Sequence, residues 1–166
     1  MEKWTLLDEK GNPTGRTLTR GERLPAGQYH LVVHIWVVGP DGRLLIQRRA
    51  AHLRLMPGLW AATGGSAVAG EPSRVAARRE LREELGIFAE ADAFVELGRL
   101  RRRSSFCDLW LLRQGVDETT LTLQAEEVAE VKWVSWDELM AMAERREFHH
   151  YGKEYFSFLH EGIRNA

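Results

Sequence analysis

Hydrophobic positions along the chain fall into short runs separated by Gly, Pro, Asn and Asp. Trp4 to Leu7 is the first run, and Asp8-Glu9-Lys10-Gly11-Asn12-Pro13 closes it, so a strand followed by a turn is predicted. Tyr29 to Val38 (Y-H-L-V-V-H-I-W-V-V) is rich in β-branched and aromatic residues, and Gly39-Pro40-Asp41-Gly42 separates it from Leu44-Leu45-Ile46-Gln47-Arg48. This pair reads as a hairpin. Residues 51–59 contain Pro57 and Gly58 and read as loop, and Leu59 to Thr63 as a short strand running into Gly64-Gly65. From Pro72 to Leu85 the residues are good helix formers, with Pro at the start and Gly86 just beyond, the order expected at helix ends. Strands follow near Phe94 to Arg101, Phe106 to Leu112 and Val131 to Val134, then helices at Trp136 to Arg145 and about Tyr151 to Ile163. No internal repeat or low-complexity linker appears.

Size and charge narrow the function classes. A chain of 166 residues with 44% hydrophobic content suits one domain with one core. The 23 basic and 24 acidic residues nearly cancel. No long-range field then favours nucleic acid or an anionic membrane, and a small-molecule substrate is expected. Cys107 is the single cysteine, so no internal disulfide can form and a cytoplasmic location is expected. The N-terminus Met1-Glu2-Lys3-Trp4 lacks a signal-peptide core, and no apolar run approaches the ~20 residues of a membrane span.

The segment 72–85 carries the chemistry. With about 100° of rotation per helical residue, Glu84 lies about 40° and Glu83 about 60° from Glu80, on opposite sides. Three carboxylates therefore share one face, while Ala77, Leu81 and Leu85 form an adjacent stripe that can pack on a sheet. Clustered carboxylates repel one another unless a cation neutralises them, and hard oxygen donors suit Mg²⁺ or Mn²⁺. Read from the helix alone, a solvated face with Arg74, Arg78, Arg79 and Arg82 as partners serves as the competing explanation.

The wider segment decides between them. Gly65, Glu71, Arg79-Glu80-Leu81, Glu83-Glu84 and Gly86-Ile87 match G-x₅-E-x₇-R-E-U-x-E-E-x-G-U, with U aliphatic, at every specified position. The chain thus resembles the Nudix, or MutT-like, hydrolase superfamily, and the likeness extends through Leu44 to Arg48, Pro57 to Trp60 and Lys132 to Leu139. That resemblance implies a mixed α/β fold: an α/β/α sandwich with a mixed sheet and the box helix packed on it. It also implies one domain over 1–166, with an N-terminal extension (1–28), a core (about 29–140) and a helical C-terminal region (about 141–166).

The expected activity is hydrolysis of a diphosphate linkage in a nucleoside diphosphate derivative or related organic diphosphate, a pyrophosphatase reaction needing magnesium, for which Mn²⁺ can substitute. By the same resemblance Glu80, Glu83 and Glu84 bind metal, with the Gly64 carbonyl as a further ligand. Glu71 and Arg79 form an ion pair that holds the loop before the helix, and Gly65 and Gly86 are structural. Glu127 is the chosen carboxylate outside the box, from its place before Lys132-Trp133-Val134-Ser135, with Glu126 and Glu130 as alternatives. Arg48 and Arg49, at the end of the hairpin, are the expected substrate-binding cations. A homodimer is compatible with this reading.

Two other readings compete. The stretch W-T-L-L-D-E-K-G-N-P-T-G, Gly27 to Leu31 and L-L-I-Q-R-R resemble the isopentenyl-diphosphate isomerase branch of the superfamily. That reaction requires Cys-Gly-His where Gly64, Gly65 and Ser66 stand here, and the isomerase box helix is degraded. A nucleotide-binding module without turnover would usually have lost box carboxylates, which are all present. Outside the box, His30 and His34 share a strand face and read as satisfied polar residues. The run Arg99, Arg101, Arg102, Arg103 reads as a solvated strand edge, and a phosphate grip is the rival. His149, His150 and His160 receive no role. The tryptophans read as core.

Overall fold

A computed structural model describes residues 1–166. Its central strand, β3 (His30–Val38), follows β1 (Lys3–Leu7) and β2 (Pro13–Thr19), and pairs in parallel along its length with β8 (Ser105–Arg113). A parallel pair needs a long crossover. Here the intervening chain includes α1 (Ser73–Leu85) and β7 (Phe94–Arg101), the antiparallel edge partner of β8.

The other side of β3 is divided. Its first half pairs with β6 (Thr63–Ser66), and only Val37 and Val38 pair with β4 (Leu44–Arg49). Beyond that point β4 diverges to pair with β9 (Val128–Val134) on one edge and with the two residues of β5 (Trp60–Ala61) on the other. Ala62 alone separates β5 from β6, so this bent segment fills the fork between β3 and β4. The predicted strand at 59–63 is therefore two short strands, the second running through Gly64 and Gly65. At Gly64 a Cβ would run into the Val33 carbonyl and the His34 ring, so a larger residue could not lie this close to β3.

Alternation along β3 builds a layer on each face. Val33, Ile35 and Val37 meet Ala76, Ala77, Leu81 and Leu85 of α1. Trp36 and Val38 face the other way, toward Leu139 and Met142 of α2 (Trp136–Glu144) and Tyr155 and Leu159 of α3 (Lys153–Asn165). The predicted stripe on α1 is wholly buried. Each such leucine contributes about 2–3 kcal/mol by leaving water. The expected α/β/α sandwich with a mixed sheet is what forms.

The N-terminal extension is a hairpin of β1 and β2, and β2 was missing from the expectation because its residues, Pro-Thr-Gly-Arg-Thr-Leu-Thr, show almost no apolar alternation. It clasps the loop before α1: the Ala69 N–H donates to the Lys3 carbonyl at 2.7 Å and the Gly70 N–H to the Thr5 hydroxyl at 3.0 Å. Of the tryptophans, Trp36 and Trp110 are buried, while Trp60, Trp133 and Trp136 pack at the core margin. Cys107 is buried, and burial pushes its thiol up to about 12, so it is inert.

Candidate active site

Pro72 precedes α1, and Gly86 ends it in the left-handed conformation with its N–H donating to the Arg82 carbonyl. Between these ends the packed face fixes the rotation of the helix. Glu80, Glu83 and Glu84 then open toward β6 and the end of β4. Gly65, on β6, is where the strand meets the helix: a Cβ there would lie 2.5 Å from Glu80 Oε1.

Arg79 organises the group. It grips Glu71 with Nε–Oε2 at 2.7 Å and Nη2–Oε1 at 2.9 Å, and donates to the Ser66 carbonyl at 3.2 Å. Glu71 Oε1 also accepts from the Val68 N–H at 3.1 Å, so loop 66–71 is closed against the helix by a paired fork. The remaining nitrogen, Arg79 Nη1, stands 3.1 Å from both Glu80 and Glu83. Glu84 differs from its neighbours, being only 5% exposed. Its Oε1 accepts from Gln47 Nε2 at 3.4 Å, and Gln47 in turn accepts from the Thr63 hydroxyl at 2.9 Å.

Burial governs the charges here. It pushes Glu80 up to about 7, with Glu83 adding to the rise and Arg79 opposing it. Burial also raises Glu84 well above the usual carboxylate range, and the Glu80 charge adds to it. Glu71 is pulled the other way: its own burial is outweighed by the bonds from Arg79 and Val68, so it sits below its ordinary value. Two carboxylates that resist ionisation side by side are what a cation would relieve. No three acidic or histidine side chains converge on one point here, and Arg79 Nη1 is bonded to both Glu80 and Glu83. The donor chemistry nonetheless fits a hard cation that takes a few carboxylates and completes its shell with water.

The glutamates open into a cavity of about 340 Å³ with no hydrophobic residue in its lining. Gly64, Gly65 and Ser66 form its floor, Arg49 and Glu127 belong to its wall, and Glu2 and Arg20 reach it from the N-terminal hairpin. A larger cavity of about 630 Å³ between α2 and α3 is mainly apolar and contains none of the box carboxylates, so chemistry selects the smaller.

The residues expected to bind metal, bind substrate or take the proton all line this cavity, with one exception. Arg48 lies outside this cavity: β4 alternates, so Arg49 faces the glutamates while Arg48 donates to Glu130 at 3.0 Å and to the Gly58 carbonyl at 3.0 Å. That pair also occupies Glu130, one of the alternatives to Glu127. The sequence reading missed Glu2, Arg20, Gln47 and Gln124. No local pattern marks them, since each reaches the cavity or Glu84 only through the tertiary arrangement.

Comparison with known proteins agrees with this geometry. The NUDIX domain family matches residues 28–155. An uncharacterized Nudix hydrolase of Listeria monocytogenes is 40% identical over 149 residues, covering 89% of this chain and 88% of that protein. An isopentenyl-diphosphate Delta-isomerase of Streptomyces avermitilis is 31% identical, over 81% of this chain and 71% of the relative. Among solved structures, a Deinococcus radiodurans protein superposes with a TM-score of 0.73 at 26% identity, covering 87% of this chain and 90% of the other. The box on α1, the sandwich around it and these relatives converge, and the chain belongs to the Nudix hydrolase family.

Proposed function

We propose that the chain is a divalent-metal-dependent pyrophosphohydrolase acting on a nucleoside diphosphate derivative or related organic diphosphate. The observation that carries this reading is the wholly polar cavity into which all three box glutamates open. Glu80, Glu83 and Glu84, with the Gly64 carbonyl, would hold Mg²⁺ or Mn²⁺. Held there, such a cation would neutralise charge on the phosphoryl oxygens and acidify a water.

The chain's own residues do the rest. Glu71 holds Arg79, and Arg79 holds the Ser66 carbonyl, which keeps the loop at the cavity floor in one conformation. Arg49 presents a guanidinium to the same space and suits an anionic phosphoryl oxygen. Glu127 takes the proton of the attacking water; its support is a position in the cavity wall, whereas Glu130 is paired with Arg48 and Glu126 does not line the cavity. Hydrolysis then breaks the phosphoanhydride P–O bond, water oxygen replacing the leaving phosphate oxygen.

The isomerase relative suggests the competing reaction, but Gly64, Gly65 and Ser66 leave no thiol or imidazole at the box entrance. The test is a panel of nucleoside triphosphates, nucleotide sugars, dinucleotides, coenzyme A and isoprenoid diphosphates, incubated with Mg²⁺ or Mn²⁺. Released phosphate or pyrophosphate supports hydrolysis; isomerised isopentenyl diphosphate without release overturns it. Glu127→Gln compared with Glu126→Gln and Glu130→Gln across pH assigns the base. An unchanged rate and acidic limb in the Glu127 variant, with a change in a neighbour's, moves the role to that neighbour.

A further inference from the structure

The N-terminal hairpin is a two-stranded sheet of its own, and such a pair is marginally stable unless it packs on something else. Two contacts fix β1 on the domain. Near its end the Leu7 N–H donates to the Tyr29 carbonyl at 2.7 Å and the Tyr29 N–H to the Leu7 carbonyl at 2.9 Å. Near its start the indole of Trp4 lies flat on the imidazole of His30, the first residue of β3, with ring centroids 4.1 Å apart and 9° between the planes. The indole is held by its edge as well as its face: Trp4 Nε1 donates to Glu2 Oε2 at 2.9 Å, and the same oxygen lies 3.4 Å from Arg20 Nη1. His30 Nδ1 in turn lies 3.4 Å from the Ser66 hydroxyl at the end of β6.

The residues on either side of Trp4 hold the loop before α1. Bonds from β3 to this segment reach as far as Ala67, whose N–H donates to the Leu31 carbonyl at 2.9 Å. Further along, the Ala69 N–H is taken by the Lys3 carbonyl and the Gly70 N–H by the Thr5 hydroxyl. Glu71 is the next residue, and its carboxylate grips Arg79 through two bonds while Arg79 Nη1 bonds Glu80 and Glu83. A continuous path of contacts therefore runs from the Trp4–His30 stack, through two bonds to the loop, to the Glu71–Arg79 fork and on to two of the box glutamates.

We propose that Trp4 is a positioning residue for the metal-binding glutamates. By stacking on His30 it keeps β1 where Lys3 and Thr5 fix Ala69 and Gly70, and this sets Glu71, Arg79 and, through them, Glu80 and Glu83. This rests on the metal-dependent reading of the site and extends it to a hairpin far from α1 in sequence. The face and the edge of the indole have separable parts, since a phenylalanine keeps a ring on His30 and loses only the donor to Glu2.

The test is the affinity of the full chain for Mn²⁺ alone, read from the paramagnetic resonance signal of the free ion, with far-UV circular dichroism as the check on folding. Trp4→Ala is expected to weaken Mn²⁺ binding on the order of tenfold, the usual cost of losing a residue that orients metal ligands. Trp4→Phe should restore most of that loss. Thr5→Val, which leaves the stack in place and removes only the bond to Gly70, should weaken binding in the same direction by less. Ile163→Ala, which trims an apolar contact on the opposite face of the sheet, should bind as the wild type does. Equal affinity in Trp4→Ala and wild type overturns the proposal and leaves the metal site standing. So does an equal loss in Trp4→Ala and Trp4→Phe, or in Trp4→Ala and Ile163→Ala. Should Trp4→Ala fail to fold, wild-type affinity in Thr5→Val overturns it instead. A wild type that binds no Mn²⁺ overturns the metal-dependent reading itself, and this proposal with it.

Discussion

Glu84 and Glu83 are neighbours in sequence with different surroundings, and their conservative variants should separate accordingly. Each Glu→Gln change is expected to lower turnover by a factor on the order of 10², the cost of losing a ligand to a catalytic metal, read as initial rate at saturating Mg²⁺. Without metal the two diverge. Burial raises the Glu84 pKa because its charged form is poorly solvated, so Glu84→Gln removes that burden and should raise the melting temperature of the metal-free protein. Glu83, with its side chain about half exposed, should leave the melting temperature nearly unchanged. A fall in the Glu84 variant would mean that the buried carboxylate is ionised and stabilised by its bond from Gln47.

At the level of elements, the site depends on how closely β6 approaches α1. Gly65 allows the approach, and an alanine there would place its methyl against the Glu80 carboxylate at 2.5 Å. Either Glu80 turns away or the strand shifts. Gly65→Ala should thus lose at least about tenfold in activity, since displacement of a metal ligand by an ångström is costly to catalysis, yet retain the far-UV circular dichroism of the wild type. Wild-type rates in this variant would show that Glu80 is free to reorient. The clasp of the N-terminal hairpin on Ala69 and Gly70 holds the same loop from its other side, so one short segment is fixed by α1, β3 and β1 together.

Across the whole molecule, two equilibrium measurements probe the site through stability. Mg²⁺ or Mn²⁺ should raise the melting temperature, because a ligand that binds only the folded chain stabilises it by mass action, and the shift should shrink in Glu80→Gln. Equal shifts in both proteins would place the metal elsewhere. The pH dependence has a defined sign at His34, whose pKa burial lowers to about 3. A histidine harder to protonate when folded contributes stability that is complete above the unfolded value of about 6.5 and is lost as pH falls from there toward the folded value. Between pH 7 and 5 its share of the loss is about 1–2 kcal/mol, discounted for the part of the residue that solvent reaches. His34→Gln should flatten the curve by that amount in urea titrations; an unchanged slope would contradict the depressed pKa. No helix is long and apolar enough to cross a membrane.

The sequence by itself determined α1 and its two faces. Helical spacing puts Ala77, Leu81 and Leu85 on one side and the glutamates beside them whatever the helix later packs against, because that relation is set by local backbone geometry. Strong apolar runs likewise specified β3, β4 and β8, since each must bury a face, while β7 and β9 were legible from fewer apolar positions. Strand β2 was not legible, because its mainly exposed residues carry no alternation and it exists only by pairing with β1. The split between Arg48 and Arg49 depended on which face of β4 turned inward, a choice made by the sheet. Glu84's burial and the approach of Glu2, Arg20 and Gln124 to the site depended on tertiary structure alone. Those residues are far apart in the chain, and only the packing of the N-terminal hairpin, β6 and the segment before β9 around α1 brings them to one opening.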